Sequence, residues 1–234
     1  MDTQTRHALK KDKLAQAAAS GASWVEEHRT GVLRWVISAG AFLVLVVGLT
    51  VYWSVRSTAA DLALGAAVDL YNQPLALPGE PPQQGVYTSA TAQATEANRQ
   101  FVAVAHNYRW WPQGTKARYF AGVTYLELGQ NSPAETELKA ATGSWDLNLS
   151  NLAKMALAGL YHQTSRDSQA IDLYNALVAK PSETVSTSVA QLALADLYVA
   201  EGKQDQARLL WAKIKDADKD SAAATIAQDK LTGK

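Results

Sequence analysis

His7, His28, His106 and His162 are the only imidazoles in the chain, and no two stand at a metal-binding spacing such as HExxH. The first pair precedes a long apolar run and the second pair follows it, so the two pairs are separated. Cysteine is absent, which leaves neither a disulfide framework nor a thiolate metal site. No Gly-rich phosphate loop or GxSxG elbow occurs. Asp216-Ala217-Asp218-Lys219-Asp220 has the alternating carboxylates of a calcium loop. It lacks the central glycine and closing glutamate, and reads as a solvated linker. Asn148-Leu149-Ser150 reads as a chance sequon. Residue chemistry therefore points to no enzyme, no cofactor and no metal. What remains is binding: Trp110-Trp111-Pro112 could anchor a partner or pack between helices.

The element that must position any binding surface is the run Trp35 to Val55, twenty-one residues without a charge, flanked by Arg34 and Arg56. As a helix it is about 32 Å long, close to the thickness of a bilayer's hydrocarbon core. Trp35 at one end, with Tyr52 and Trp53 at the other, suits the headgroup level. A core helix would be shorter or carry a polar face, and a cleavable signal would have a shorter apolar stretch. The expectation is a retained single transmembrane helix. Arg6, Lys10, Lys11, Lys13, Arg29 and Arg34 precede it, while Arg56 stands alone until Arg99. Positive charge stays inside, so the head is expected in the cytoplasm and the tail outside. Ser23-Trp24-Val25-Glu26 fits a capping box that opens the entering helix. Residues 1–22 hold too little apolar surface to fold and are expected to be disordered.

Residues 56–234 carry sixteen basic and eighteen acidic side chains, which leaves no electrostatic footprint for nucleic acid. They are rich in Ala and Leu, which favours an all-α domain. Three segments align without gaps. In each a tyrosine is followed nine residues later by alanine and thirteen later by a large apolar residue. The sets are Tyr125, Ala134, Leu138; Tyr161, Ala170, Tyr174; and Tyr198, Ala207, Trp211. Gly122, Ala158 and Ala195 each precede the tyrosine by three. Gly129 and Gly202 fall where the first helix of a pair ends, with Ser165 in that place in the middle copy. Small residues let two antiparallel helices approach, and a pair that cannot bury its own face must stack on a neighbour. A split earlier copy keeps the phase, with Ala59 to Tyr71 as its first helix and Ala97, Phe101, Val104 and Tyr108 on its second. A Pro- and Gly-rich insertion over 72–88 separates them. Residues 219–231 are expected to form a polar-faced capping helix.

These positions resemble the tetratricopeptide repeat (TPR), although Arg118, Lys154 and Gln191 replace its early tryptophan and the tyrosines are 36 and 37 residues apart. The expected fold is all-α: one transmembrane helix, then a TPR-like α-solenoid of antiparallel helix pairs with a C-terminal cap. The expected divisions are 1–22, 23–56, 57–112 and 113–234. In TPR arrays the first helix of each pair lines the concave face. By position that lining is Tyr119, Val123 and Leu126, then Leu152, Met155 and His162, then Val189, Leu192, Asp196 and Val199. The surface is mainly apolar and suits an apolar or amphipathic segment. The N-terminal helix or the 219–231 helix could instead fill it.

The helix entering as SWVEEHR, the span ending in YW, AADLALGAAVDLY and the degenerate repeats together resemble the YfgM-like family of ancillary SecYEG translocon subunits. The TPR-like domain of that family is related to that of a cell-division coordinator. The resemblance covers roughly residues 22–234. It implies a bacterial inner-membrane protein with a periplasmic domain that contacts the Sec translocon, periplasmic chaperones or client segments, with no catalytic residues. The expected function is a membrane-anchored interaction scaffold or chaperone adaptor. The alternative is an assembly factor for envelope or cell-division machinery.

Overall fold

A computed structural model describes residues 28–76, 86–217, 219 and 221–233. The head over 1–22, the capping box at Ser23, most of the 72–88 insertion, Asp218 and Asp220 lie outside the described residues. The described residues form α-helices and no strand: α1 (Arg29–Asn72), α2 (Ala90–Asn107), α3 (Pro112–Glu127), α4 (Asn131–Thr142), α5 (Leu147–Gln163), α6 (Asp167–Ala179), α7 (Thr187–Ala200), α8 (Gln204–Ala217) and α9 (Ala222–Thr232). The chain divides between Arg56 and Ser57 into two compact units.

In the first unit the large apolar side chains of α1 from Leu33 to Val55 are exposed, Trp35 to 79 %. The helix is long and apolar enough to cross a membrane. Hydroxyls in this stretch are few, and that of Thr50 is satisfied within the helix: Oγ1 donates to the Val47 carbonyl at 2.8 Å. That economy of polar groups is what a hydrocarbon environment demands.

In the second unit consecutive helices pack on one another from α2 to α9, and α3 also touches α5, as α7 touches α9. The turns 128–130, 164–166 and 201–203 are built alike. Gly129, Ser165 and Gly202 hold φ of 71°, 57° and 76°. Their N–H groups donate to the carbonyls of Leu126, His162 and Val199, each at 3.0 Å. The next N–H groups, from Gln130, Arg166 and Lys203, donate to the tyrosine carbonyls of Tyr125, Tyr161 and Tyr198 at 2.8, 2.7 and 2.8 Å. This paired closure is the Schellman arrangement, which satisfies two end carbonyls at once and requires a left-handed residue between them. The repeated tyrosine is thus the residue whose carbonyl closes the turn.

The small residues do what their spacing suggests. Ala134, Ala158, Ala170, Ala195 and Ala207 have no exposed surface. A Cβ placed on Gly122 would stand 2.6 Å from Leu138 Cγ, so only glycine lets α3 and α4 close to this distance. Leu138, Tyr174 and Trp211, four residues beyond each second-helix alanine, are all buried. The central core gathers Leu138, Leu157, Leu160, Tyr174, Leu177, Leu194 and Leu197. A second core joins Leu64 and Ala67 of α1 to Ala97, Phe101 and Val104 of α2 and to Ala117 and Ala121 of α3. There Phe101 stacks on Phe120 at 5.0 Å and meets Tyr71 edge-on at 6.0 Å. A third joins Ala195, Ala207, Trp211, Ile214 and Ala227.

Candidate protein-interaction surface

The first helices of the three pairs are α3, α5 and α7. All ten lining residues expected from the sequence lie on them, and none is fully buried. Their surroundings differ. Tyr119, Leu126, Leu152 and Met155 are half-buried and lean on the central core. Tyr119 also meets Phe120 edge-on at 5.4 Å, and burial pushes its phenol up from its ordinary value. Val123 is half-buried on the same helix. These five form the part of the lining shared by α3 and α5, which touch.

His162 is drawn to the end of the pair. Its Nδ1 lies 2.7 Å from Asp167 Oδ1, across the turn into α6. That contact fastens a helix end and turns the ring toward its own hairpin.

On α7 the lining meets the C-terminal helix. Leu192 and Val199 are half-buried in the third core together with Ala223 and Leu231 of α9. Asp196 is exposed and its Oδ1 accepts from Lys230 Nζ at 3.2 Å. Val189 stays 41 % exposed. Helix α9 therefore occupies the surface of α7 that its first-helix position would otherwise leave open.

The displaced titrations all move away from neutrality. Burial, then the hydrogen bond it donates to Glu127, pushes the Tyr71 phenol up. Burial also pushes the Tyr174 phenol up. Arg166, then Lys139, hold the Glu135 carboxyl at about 2. Arg99 chiefly holds Glu96 at about 2. Among the described residues no three His, Asp or Glu side chains gather into a metal-sized cluster.

The tryptophan pair divides its roles. Trp111 is 7 % exposed and meets Tyr108 edge-on at 6.4 Å, just before α3 begins at Pro112. Trp110 is 71 % exposed, with the Arg109 guanidinium 4.7 Å above its ring. Sequence reasoning passed over Trp145, which is fully exposed. Its signal was local: Gly143-Ser144-Trp145-Asp146 is a cluster of turn formers, so the indole sits in a connection and off any helix face. Arg109, Trp110, Lys116 and Trp145 border a cleft of about 430 Å³ between the turns before α3 and before α5.

Asn148 of the sequon is engaged by its own fold. Its Oδ1 accepts from the N–H groups of Glu183 and Thr184, at 3.1 and 3.4 Å, and ties the loop before α7 to α5.

Comparison with protein-family models, with curated proteins and with solved structures finds no match for this chain.

Proposed function

We propose that this chain is a membrane-anchored interaction scaffold, held in a bacterial inner membrane by Trp35 to Val55, with its repeat unit on the periplasmic side. The reading rests chiefly on one observation. A fully exposed apolar helix stretch of membrane length precedes a unit in which three helix hairpins share one turn geometry and one small-residue register. Repeats of this kind are TPR-like, and such units serve as binding surfaces. The surface left for a partner is the half-buried apolar strip of Tyr119, Val123, Leu126, Leu152 and Met155. It fits one face of an amphipathic or apolar segment. Tethering raises the local concentration of the strip near the membrane, so weak and exchangeable contacts suffice. The resemblance to the YfgM-like family suggests the Sec translocon, periplasmic chaperones or client segments as partners.

The test is photo-cross-linking in the membrane of living cells, from Val123 and Met155 each replaced by a photoreactive amino acid. Capture of translocon subunits or of membrane-anchored chaperones is the expected result. Capture of cell-wall enzymes alone points to an envelope or division assembly factor and overturns the translocon assignment. A mature product that begins after Val55 and is freely soluble removes the anchor, and with it the whole reading.

A further inference from the structure

The cleft bordered by Trp110 and Trp145 lies at a particular end of the second unit. Helix α3 starts at Pro112, and the Gln113 amide next to it donates to Asp61 Oδ1 at 2.7 Å and to Ser57 Oγ at 3.4 Å. Ser57 and Asp61 stand two and six residues after Val55, the last residue of the uncharged run. Whatever conformation those residues adopt, they reach at most about 7 to 22 Å. The turns before α3 and before α5 are therefore leashed to the point where the chain leaves the apolar stretch. The turns at 128–130, 164–166 and 201–203 close the other ends of these hairpins. Helix α3, which separates the two ends, is about 24 Å long by its rise per residue.

At the leashed end two indoles stand in solvent, 71 % exposed and fully exposed. Two cations flank them, Arg109 above the Trp110 ring and Lys116 on the cleft wall. Two anions at this end are each engaged within the fold: Asp61 accepts from the Gln113 amide, and the Asp146 carboxylate caps α5 by accepting from Asn148 N–H at 2.9 Å and Leu149 N–H at 3.4 Å. Indole rings concentrate at the headgroup level of a bilayer, and arginine and lysine beside them meet anionic headgroups. A water-exposed tryptophan pair without that environment leaves two large apolar faces uncovered.

We infer that this end of the repeat unit docks on the lipid surface itself, with Trp110 and Trp145 seated at headgroup depth and Arg109 and Lys116 against anionic lipid. The inference rests on the anchor proposed above. Docking fixes the orientation of the repeat unit on its leash, so the apolar strip on α3 and α5 is presented at a constant height above the bilayer.

Because the chain has no cysteine, nitroxide labels can be placed one at a time in the full-length protein. Three sites serve: Leu45→Cys in the apolar stretch, Gly143→Cys beside Trp145, and Ser132→Cys at the opposite end. At Gly143 φ is −79° and an added Cβ meets nothing closer than 3.5 Å, so the label leaves the turn intact. The chain is reconstituted in vesicles of equal parts phosphatidylcholine and phosphatidylglycerol. Collisions with oxygen, which partitions into lipid, are compared with collisions with a water-soluble nickel chelate. The expected result is a loss of nickel collisions at Gly143→Cys relative to Ser132→Cys, regained when Trp110→Ser and Trp145→Ser are added. Both indoles are exposed, so that double variant keeps its helix content, which circular dichroism checks. If Gly143→Cys is as open to nickel as Ser132→Cys while Leu45→Cys is shielded, docking is wrong and the anchor stands. If Leu45→Cys is itself open to nickel, the anchor reading fails as well. Spin–spin broadening at Gly143→Cys with full nickel access identifies a second copy of the chain as the occupant, which also overturns lipid docking.

Discussion

At Ser165 the middle hairpin holds an L-residue at φ 57°, where its neighbours in register hold glycine. A side chain in the left-handed region costs about 1–2 kcal/mol, partly offset by glycine's greater freedom in the unfolded chain, about 0.5–1 kcal/mol. Ser165→Gly is therefore expected to stabilise the protein by about 0.5–1 kcal/mol. The mirror experiment is Gly129→Ala. Its new methyl meets no atom within 4 Å, so any loss comes from the backbone alone and is expected at about 1 kcal/mol. Urea unfolding of the full chain in detergent reads both. If Ser165→Gly is neutral or destabilising, the serine makes a contact that outweighs its strain. This turn was legible in the sequence because Gly129 and Gly202 mark its place, and the middle copy, at Ser165, followed from phase alone. The split roles of Trp110 and Trp111 were not legible, since two adjacent indoles at a helix start carry nothing in their types that says which one turns inward.

Between elements, the hairpins are joined by small-residue crossings and, between the first two, by a charged staple. Ala170 and Ala207 have no exposed surface and sit where α6 and α8 meet their neighbours. Leucine at either position overpacks the crossing and is expected to cost about 1–3 kcal/mol; an unchanged melting temperature would show that the helices meet elsewhere. The staple is Glu135 of α4. It bonds Arg166, in the turn between α5 and α6, at 2.8 Å and Lys139 at 2.6 Å. Arg166 also lies 4.4 Å above the Tyr161 ring, so the guanidinium is held from two sides. Glu135 is drawn down from an ordinary value of 4.5 to about 2. A depressed carboxylate stabilises the fold above the unfolded value, and that contribution fades as pH falls from about 4.5 toward 2. The groups are partly solvated, so the effect is at most about 1 kcal/mol. Glu135→Gln is expected to flatten the stability–pH curve in that window. Glu96→Gln removes the same sort of shift, but its partner Arg99 lies on its own helix, so it should leave the joint between hairpins unchanged. Equal loss of hydrogen-exchange protection across α4 and α5 in both variants would remove the staple's special role.

Across the second unit, the main contacts run between consecutive helices and, at α3–α5 and α7–α9, between helices two apart. A chain of neighbours of this sort behaves as a nearly one-dimensional array, in which loss of one end is felt most by the adjacent member. The end helix α9 covers Leu192 and Val199 with Ala223 and Leu231 and adds the Lys230–Asp196 contact. The repeat register was readable because tyrosine, alanine and glycine recur at fixed intervals. The seat of α9 was readable only as one of two ways to fill the groove, because its stretch AAATIAQDKLT offers mostly small apolar residues that suit any groove equally. The seat also decides what a charge on α7 would do: Leu192→Asp would bury its carboxylate against α9, so it tests stability before it tests binding. Ending the chain after Ala217 is the cleaner probe. Protection against hydrogen exchange is expected to fall most in α7 and α8, less in α5 and α6, and least in α2 and α3. New binding of a hydrophobic dye should accompany it as Leu192, Val199 and Trp211 lose their cover. A uniform fall from α2 to α8 would mean that the unit unfolds as one block. The hairpins would then not be energetically separable, and the view of them as a stack built from near-independent neighbours would fail.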